Sequence, residues 1–267
     1  MSAMILRRTE VEDARSGSTS LLGSTITSCR RSISPFPRVS SPELSFRGTL
    51  GEGACPQPQS PPLLLFGDSL TLGTIGGAPN HPYGKRVAEQ LGAAAADVAI
   101  SGWAGELAMD MGRRLQQELM QRKSSPPSHV VILAGTNDVR SGVQPEALLQ
   151  QLKALHGMVR AAGAKCVAVT IPQCGAWDMT SVPLAPKRDF VNSGLRAAAV
   201  AGTQGRGPPL WVADFDAVLA RMPASERNAL FSDSCHFTPS GYDLLGDLVH
   251  AAVQSSSPQP AAVQSSS

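Results

Sequence analysis

Short apolar segments recur along residues 62 to about 254, and polar residues seldom interrupt them. Runs of this kind are typical of parallel strands whose two faces are both covered. The sequence therefore predicts a sheet with helices packed on each side of it. The predicted strands are 63–67, 97–101, 129–134, 165–171 and 210–214.

Amphipathic segments separate the predicted strands. In residues 104–122, and again in residues 145–162, an apolar residue recurs every three or four positions. This spacing places the apolar side chains on one face of a helix. A last helix is predicted to begin at Pro239, with Thr238 as its N-cap.

The alternation of strands and helices predicts an α/β fold. We expect a single three-layer α/β/α domain over residues 61–254, with a doubly wound, mainly parallel and flavodoxin-like sheet of five strands. The carboxyl ends of parallel strands share one edge of the sheet, where open α/β sheets place their ligand sites. Residues that directly follow the strands are therefore the first candidates for chemistry.

The two ends of the chain differ from this pattern. Residues 1–60 contain 12 serines, 7 arginines, no lysine and 5 acidic residues, without a sustained helix or strand period. This composition predicts disorder, and an organelle-targeting segment is the alternative. An apolar core of the kind found in secretory signals does not follow the basic start, so the default compartment is the cytoplasm. Residues 255–267 are predicted to form a disordered tail.

Charge and cysteine content exclude several classes of function. Residues 61–267 carry 16 basic and 16 acidic side chains, which gives no electrostatic reason to expect nucleic acid as a partner. No apolar run is long enough for stable membrane insertion. The five cysteines lack C-x-x-C spacing and favour a reducing compartment. No group of His, Cys and carboxylate residues has the spacing of metal ligands, so neither a metal nor another cofactor is expected.

Polar residues and glycines follow the first three predicted strands. The first strand ends in Gly67-Asp68-Ser69, which is either an ordinary turn or the presentation of a serine hydroxyl. Gly102 follows the second strand, as a loop glycine or as a backbone N–H donor close to a ligand. Asn137 follows the third, where its carboxamide either caps a turn or donates to a developing negative charge.

Asp233 and His236 stand near the end of the predicted domain. Their spacing lets the carboxylate accept a hydrogen bond from one ring nitrogen while the other nitrogen points to the edge of the sheet. The alternative is a capping aspartate beside a surface histidine. A serine hydroxyl becomes a nucleophile only when a neighbouring base takes its proton, so the two readings depend on where Ser69 lies.

Taken together, these motifs resemble a known family. GDSL at 67–70, Gly102, GTND at 135–138 and DSCH at 233–236 resemble the four sequence blocks of the SGNH hydrolases, also called GDSL esterases and lipases. The blocks come in the family's order, and the resemblance covers roughly residues 62–252.

The resemblance implies a role for each motif residue. Ser69 would be the nucleophile, His236 the general base and acid, and Asp233 the residue that orients the histidine. The backbone N–H groups of Ser69 and Gly102 and the side chain of Asn137 would form the oxyanion hole.

Apolar side chains near these motifs are candidates for a substrate pocket. Trp177 lies in the longest irregular stretch of the predicted domain, residues 173–187, which should overhang the edge of the sheet. Trp103 follows Gly102 directly. The expected lining residues are Leu70, Trp103, Trp177 and Phe237.

The function expected from the sequence is hydrolysis of a small-molecule carboxylic ester through an acyl-serine intermediate. Short acyl esters, including acetyl groups on carbohydrates, are the favoured substrates. An acyltransferase, a thioesterase or a lysophospholipase would use the same residues, and a non-catalytic binding module is an alternative of another class. The sequence leaves the oligomeric state open.

Overall fold

A parallel sheet of five strands forms the centre of the domain. The structure is a computed structural model that describes residues 63–92, 98–174 and 184–256, all within the unit Ala54–Ser267. The strands of the sheet, and of a small antiparallel hairpin, are β1 (Leu63–Gly67), β2 (Thr74–Ile75), β3 (Ala78–Pro79), β4 (Val98–Gly102), β5 (His129–Leu133), β6 (Lys165–Val169) and β7 (Trp211–Ala213).

The order of the strands is β4-β1-β5-β6-β7, with every neighbouring pair parallel. This is the doubly wound, flavodoxin-like order, so the predicted fold class is confirmed. Each of the five predicted strands lies within two residues of an observed one. The hairpin of β2 and β3 was not predicted, because two-residue strands show no periodicity.

Helices cover both faces of the sheet. Successive residues of β1 point to opposite faces: Leu64 and Phe66 pack on one side, while Leu63 and Leu65 pack on the other. The helices are α1 (Ser69–Leu72), α2 (Gly84–Leu91), α3 (Met111–Gln121), α4 (Thr136–Arg140), α5 (Pro145–Ala161), α6 (Ala185–Thr203), α7 (Phe215–Arg221), α8 (Ala224–Ala229) and α9 (Pro239–Ser256). The core on the Leu64 side includes residues of α3, α5 and α6, and the core on the Leu63 side includes residues of α2, α7 and α9.

The helix predicted over residues 104–122 is shorter in the structure. α3 begins at Met111, and a loop occupies residues 103–110. The buried carboxylate of Asp138 accepts hydrogen bonds from the N–H groups of Ala108 (2.7 Å) and Met109 (3.2 Å). A side chain from another element therefore fixes this loop, and local periodicity gives no sign of it.

The last helix runs further than predicted. α9 continues through Ser256, which is buried. Residues 255 and 256, which the sequence assigns to a disordered tail, therefore belong to this helix. The Ser256 hydroxyl lies 2.7 Å from Nε2 of His129, and Lys165 donates to the Ser256 carbonyl at 2.8 Å. The disorder predicted for residues 1–60 and for the end of the chain concerns residues outside the described ones. Within the described ranges, no helix has the length and apolar character needed to cross a membrane.

Candidate active site

Ser69, His236 and Asp233 form a hydrogen-bonded chain at the carboxyl edge of the sheet. The Ser69 Oγ atom lies 3.0 Å from Nε2 of His236. The other ring nitrogen, Nδ1, lies 2.8 Å from Oδ2 of Asp233. The remaining carboxylate oxygen of Asp233 accepts the backbone N–H groups of Cys235 and His236, both at 2.8 Å. One carboxylate thus holds both the imidazole ring and the turn that carries it.

The turn at Ser69 follows from the residues before it. A Cβ atom on Gly67 would lie 2.2 Å from the Leu133 carbonyl oxygen, so only glycine fits against the neighbouring strand. Asp68 then caps α1, because its Oδ1 accepts the N–H of Leu70 at 2.9 Å. Ser69 is the first residue of α1, where backbone N–H groups have no acceptor within the helix.

The segment that carries His236 is closed on itself. Ser232 donates its N–H to the His236 carbonyl at 2.9 Å, and Thr238 donates to the Leu230 carbonyl at 2.8 Å. Phe237 is fully buried between Phe215 and Tyr242, with ring centroids 5.2 and 5.5 Å away. This aromatic anchor fixes the position of the adjacent histidine.

Two of the expected pocket residues are core residues instead. Phe237 and Leu70 both have almost no exposed surface and belong to the core between the sheet and α9. The prediction that they line a substrate pocket is therefore wrong. An apolar residue next to a polar motif residue can face either way, and here both side chains turn inwards.

The other two expected pocket residues are Trp103 and Trp177. Trp103 is 62% exposed and lies directly after Gly102, with its ring 5.3 Å from the Arg114 guanidinium. It borders a cavity of about 400 Å³ together with Glu106 and Arg113. Trp177 lies outside the described residues, as does most of the irregular segment 173–187.

Asp233 is suited to holding a positive charge on His236. Partial burial works to raise the pKa of Asp233, but the two backbone N–H groups and the imidazole outweigh it and hold that pKa below its usual range. The carboxylate therefore stays ionised at neutral pH. An ionised partner on Nδ1 fixes the ring tautomer that leaves Nε2 free to accept a proton.

Gly102 and Asn137 reach the same edge from neighbouring strands. Gly102 pairs with Gly67 at the end of β4, and a Cβ atom there would lie 2.7 Å from the Asp68 carbonyl oxygen. Asn137, in α4, donates its amide to the Glu106 carbonyl at 3.0 Å and lies 3.4 Å from Oδ2 of Asp68. The Asn137 carboxamide is thus held in one orientation beside the serine turn.

A buried arginine that sequence reasoning missed supports this edge. Arg114 donates to the Gly67 carbonyl at 2.8 Å and to the Ser101 carbonyl at 3.1 Å, and it forms an ion pair with Glu106. Its guanidinium lies 3.9 Å from the centroid of the Phe66 ring. Arg114 follows Met111 by three residues on the apolar face of α3, and a charge on that face was the available signal.

Asp68 and Asp138 are two almost fully buried carboxylates at this edge. Burial raises the pKa of Asp68 to about 7 despite the Leu70 N–H, and the nearby Asp138 adds to the effect. Burial also raises the pKa of Asp138, against the hydrogen bonds from Ala108 and Met109. Within the described residues, no group of three or more His, Cys, Asp and Glu side chains is arranged to hold a metal ion.

The fold and this edge define a flavodoxin-like α/β protein with a serine, a histidine and an aspartate joined by hydrogen bonds. The sequence profile of the GDSL-like lipase/acylhydrolase family matches residues 65–244. The chain therefore belongs to the GDSL-like lipase/acylhydrolase family, and the resemblance seen in the motifs is confirmed. A comparison with curated proteins found none similar in sequence.

Solved structures of the same fold come from several bacteria. A lipase/acylhydrolase from Enterococcus faecalis is 24% identical, with a TM-score of 0.57 over 74% of this chain and 98% of its own. A G-D-S-L family lipolytic protein from Veillonella parvula is 21% identical, with a TM-score of 0.57 over 72% and 97%. Axe2, an acetylxylan esterase from Geobacillus stearothermophilus, is 19% identical, with a TM-score of 0.54 over 72% and 93%. These likenesses show a shared fold.

Proposed function

We propose that this protein is a serine esterase that hydrolyses carboxylic esters through an acyl-Ser69 intermediate. One observation carries the proposal: the unbroken chain from Ser69 Oγ to His236 Nε2 (3.0 Å) and from His236 Nδ1 to Asp233 (2.8 Å). A hydroxyl, an imidazole and an ionised carboxylate in this order activate a serine for attack on a carbonyl carbon.

In the first half of the reaction, neutral His236 takes the proton of Ser69 as Oγ bonds to the ester carbonyl carbon. The positive imidazolium that forms is stabilised by Asp233, which the backbone N–H groups of residues 235 and 236 keep ionised and in place. His236 then gives the proton to the alcohol oxygen as the ester C–O bond breaks. The acyl group remains on Ser69.

In the second half, water replaces the alcohol. His236 takes a proton from the water as its oxygen attacks the acyl carbon, and returns that proton to Ser69 Oγ when the acid leaves. Serine, histidine and aspartate are thereby restored, and no cofactor is required.

Each attack places a negative charge on the former carbonyl oxygen. We assign the donors for this oxyanion to the N–H groups of Ser69 and Gly102 and the amide of Asn137, one from each of three adjacent segments. The backbone carbonyl of Glu106 orients the Asn137 amide before substrate arrives. Donors that are preorganised in this way avoid a reorganisation cost during the reaction. Loss of one donor of this kind costs about 10²–10³ in rate.

The favoured substrates are short acyl esters, and in particular acetyl esters of carbohydrates. Leu70 and Phe237 are buried in the core and supply no apolar channel for a long acyl chain. The exposed ring of Trp103 lies next to Gly102, where a flat indole face suits a sugar ring. That one protein of the same fold is an acetylxylan esterase supports this choice.

The proposal is tested with the full chain and p-nitrophenyl acetate, butyrate and octanoate. Ser69→Ala is compared with wild type and with Ser240→Ala, an exposed serine at the start of α9. We expect turnover that falls with acyl length, that disappears in Ser69→Ala and that persists in Ser240→Ala. An acetyl adduct on the peptide that contains Ser69, trapped by acid quench, identifies the nucleophile. Equal turnover by the Ser69→Ala and wild-type proteins would refute the proposal. Transfer of the acyl group to an added alcohol in place of water would identify an acyltransferase.

A further inference from the structure

Two buried cysteines lie side by side next to the candidate active site. The Sγ atoms of Cys174 and Cys235 are 2.7 Å apart. Cys174 is fully buried and Cys235 is 5% exposed, and both are free thiols. A sulfur–sulfur bond is about 2.05 Å long, so the two sulfurs need to approach by less than about 1 Å to form one.

The pair joins two parts of the fold that matter to the site. Cys174 follows β6, which lies inside the central sheet. Cys235 lies between Asp233 and His236, and its N–H is one of the two donors that hold the Asp233 carboxylate. The two cysteines are 61 positions apart, so a covalent bond between them closes a long loop of chain.

We propose that Cys174 and Cys235 form a reversible disulfide by exchange with small-molecule disulfides, and that this bond fastens the segment 231–238 to the chain that follows β6. The formation of the bond does not rest on the proposed esterase activity, because it is read from thiol content and stability. Nothing in the hydrolytic mechanism uses either thiol.

The exchange takes place in two steps. Cys235, the more exposed thiol, loses its proton and attacks one sulfur of the small disulfide, which breaks the S–S bond and releases one thiolate. Cys174 then loses its proton and attacks the Cys235 sulfur of the mixed disulfide, which releases the second thiolate. The two released thiolates take up the two protons. Two protein thiols are oxidised by two electrons, and one small disulfide is reduced to two thiols.

The buried position of the pair makes the exchange slow. The hydrogen bond with Cys235 and burial both raise the pKa of Cys174 well above its usual range, so its reactive thiolate is scarce in the closed fold. Exchange therefore proceeds when the segment around Cys235 opens transiently. The proximity of the two sulfurs suits this pair to forming a disulfide, whereas an exposed redox-sensor cysteine depends on a thiol of low pKa.

The disulfide stabilises the site rather than disrupting it. The two sulfurs need to approach by less than about 1 Å, so the contacts of Asp233 with His236 are retained. Closing a loop of this length restricts the unfolded chain, and we expect the oxidised protein to melt about 5–10 °C above the reduced one. Amide hydrogen exchange in residues 231–238 should slow in parallel.

The test uses the full chain, incubated with oxidised glutathione or with reduced dithiothreitol. Free thiols are blocked, and the protein is digested and mapped by mass spectrometry without reduction. We expect a cross-linked peptide pair containing Cys174 and Cys235, a higher Tm, and reversal of both by dithiothreitol. Cys166→Ser removes another buried thiol, in β6, and should leave both results unchanged. In Cys174→Ser the oxidant should no longer raise Tm.

Several outcomes would overturn the proposal. These are a wild-type protein that keeps both thiols free under oxidant, glutathione retained on Cys235 without the internal bond, a linkage to another cysteine, or an unchanged Tm once the 174–235 bond has formed. If Cys174→Ser does not fold, peptide mapping and Tm of the wild-type and Cys166→Ser proteins decide the question. Loss of esterase activity in Ser69→Ala has no bearing on these readouts.

Discussion

The guanidinium of Arg114 donates a hydrogen bond to the carbonyl of Gly67 at 2.8 Å, two residues before Ser69. The same side chain binds the Ser101 carbonyl and pairs with the buried carboxylate of Glu106. It therefore fixes the ends of two neighbouring strands at the point where the candidate site begins. A buried charge in this position has a structural role that can be measured.

Arg114→Met should lower the free energy of unfolding by about 3–5 kcal/mol, because it leaves the Glu106 carboxylate buried without its partner. Urea unfolding measures the change. Arg86 pairs with Asp247 on a half-exposed surface, so Arg86→Met should cost less than about 1 kcal/mol and serves as the matched control. Equal losses in the two variants would show that burial does not govern the Arg114 pair.

Asp233→Asn should reduce kcat by about 10⁴ with little loss of stability. The Asn oxygen can still accept the backbone N–H groups of Cys235 and His236, whereas its NH₂ group faces the ring nitrogen and favours the wrong tautomer. The measurement is ester turnover combined with a melting curve. A second pair, His81 and Asp243, is joined at 2.7 Å elsewhere in the fold, and Asp243→Asn should leave kcat unchanged. Full activity in Asp233→Asn would remove Asp233 from the mechanism.

Asp68 should make the protein less stable as pH rises. Burial raises its pKa to about 7 from the usual 3.8, so between these values the folded protein keeps a proton that the unfolded chain has released. Stability from this group is full at low pH and falls by about 1.4 kcal/mol per pH unit until the pH passes the folded pKa. Relative to Asp68→Asn, the wild-type protein should lose about 2–3 kcal/mol between pH 5 and pH 8. Urea unfolding at the two pH values tests this, and parallel changes in both proteins would contradict it.

Trp103→Ala should affect large substrates more than small ones. The indole is 62% exposed, so its removal should change the free energy of unfolding by less than about 0.5 kcal/mol. If the ring stacks on a sugar, kcat/KM for an acetylated xylo-oligosaccharide should fall about 3–10-fold, while p-nitrophenyl acetate is hydrolysed as before. Met120→Ala, an exposed residue in α3, is the control. An equal fall on both substrates would place Trp103 at the reacting centre rather than at a sugar subsite.

Much of the fold was predictable because apolar runs and turn residues act locally. β1 was predicted within its observed bounds, since four apolar residues precede Gly67-Asp68-Ser69. The approach of Ser69 to His236 was expected from the family motifs, which lie at the ends of parallel strands or in the loop before α9. The strands and the motifs themselves depend on residues close together in sequence, whereas the meeting of Ser69 with His236 across 167 positions was expected only from the resemblance to the family.

The features that were missed depend on contacts between distant residues. Arg114 meets Gly67 across 47 positions, and Cys174 meets Cys235 across 61. Phe237 was assigned to the pocket because it follows His236, but its ring turns inwards onto Phe215. Sequence spacing indicates which residues are near in the chain, whereas these side chains are placed by the packing of separate elements.

The final helix runs from the carboxyl ends of the strands to their amino ends. α9 begins three residues after His236, and its 18 residues extend about 27 Å, to Ser256 beside His129 at the first position of β5. The choice of an end point for a recombinant chain therefore affects more than its terminus. A chain cut at residue 254 would lose the Ser256 contacts with His129 and Lys165, and the helix that supports the histidine segment would fray from its far end.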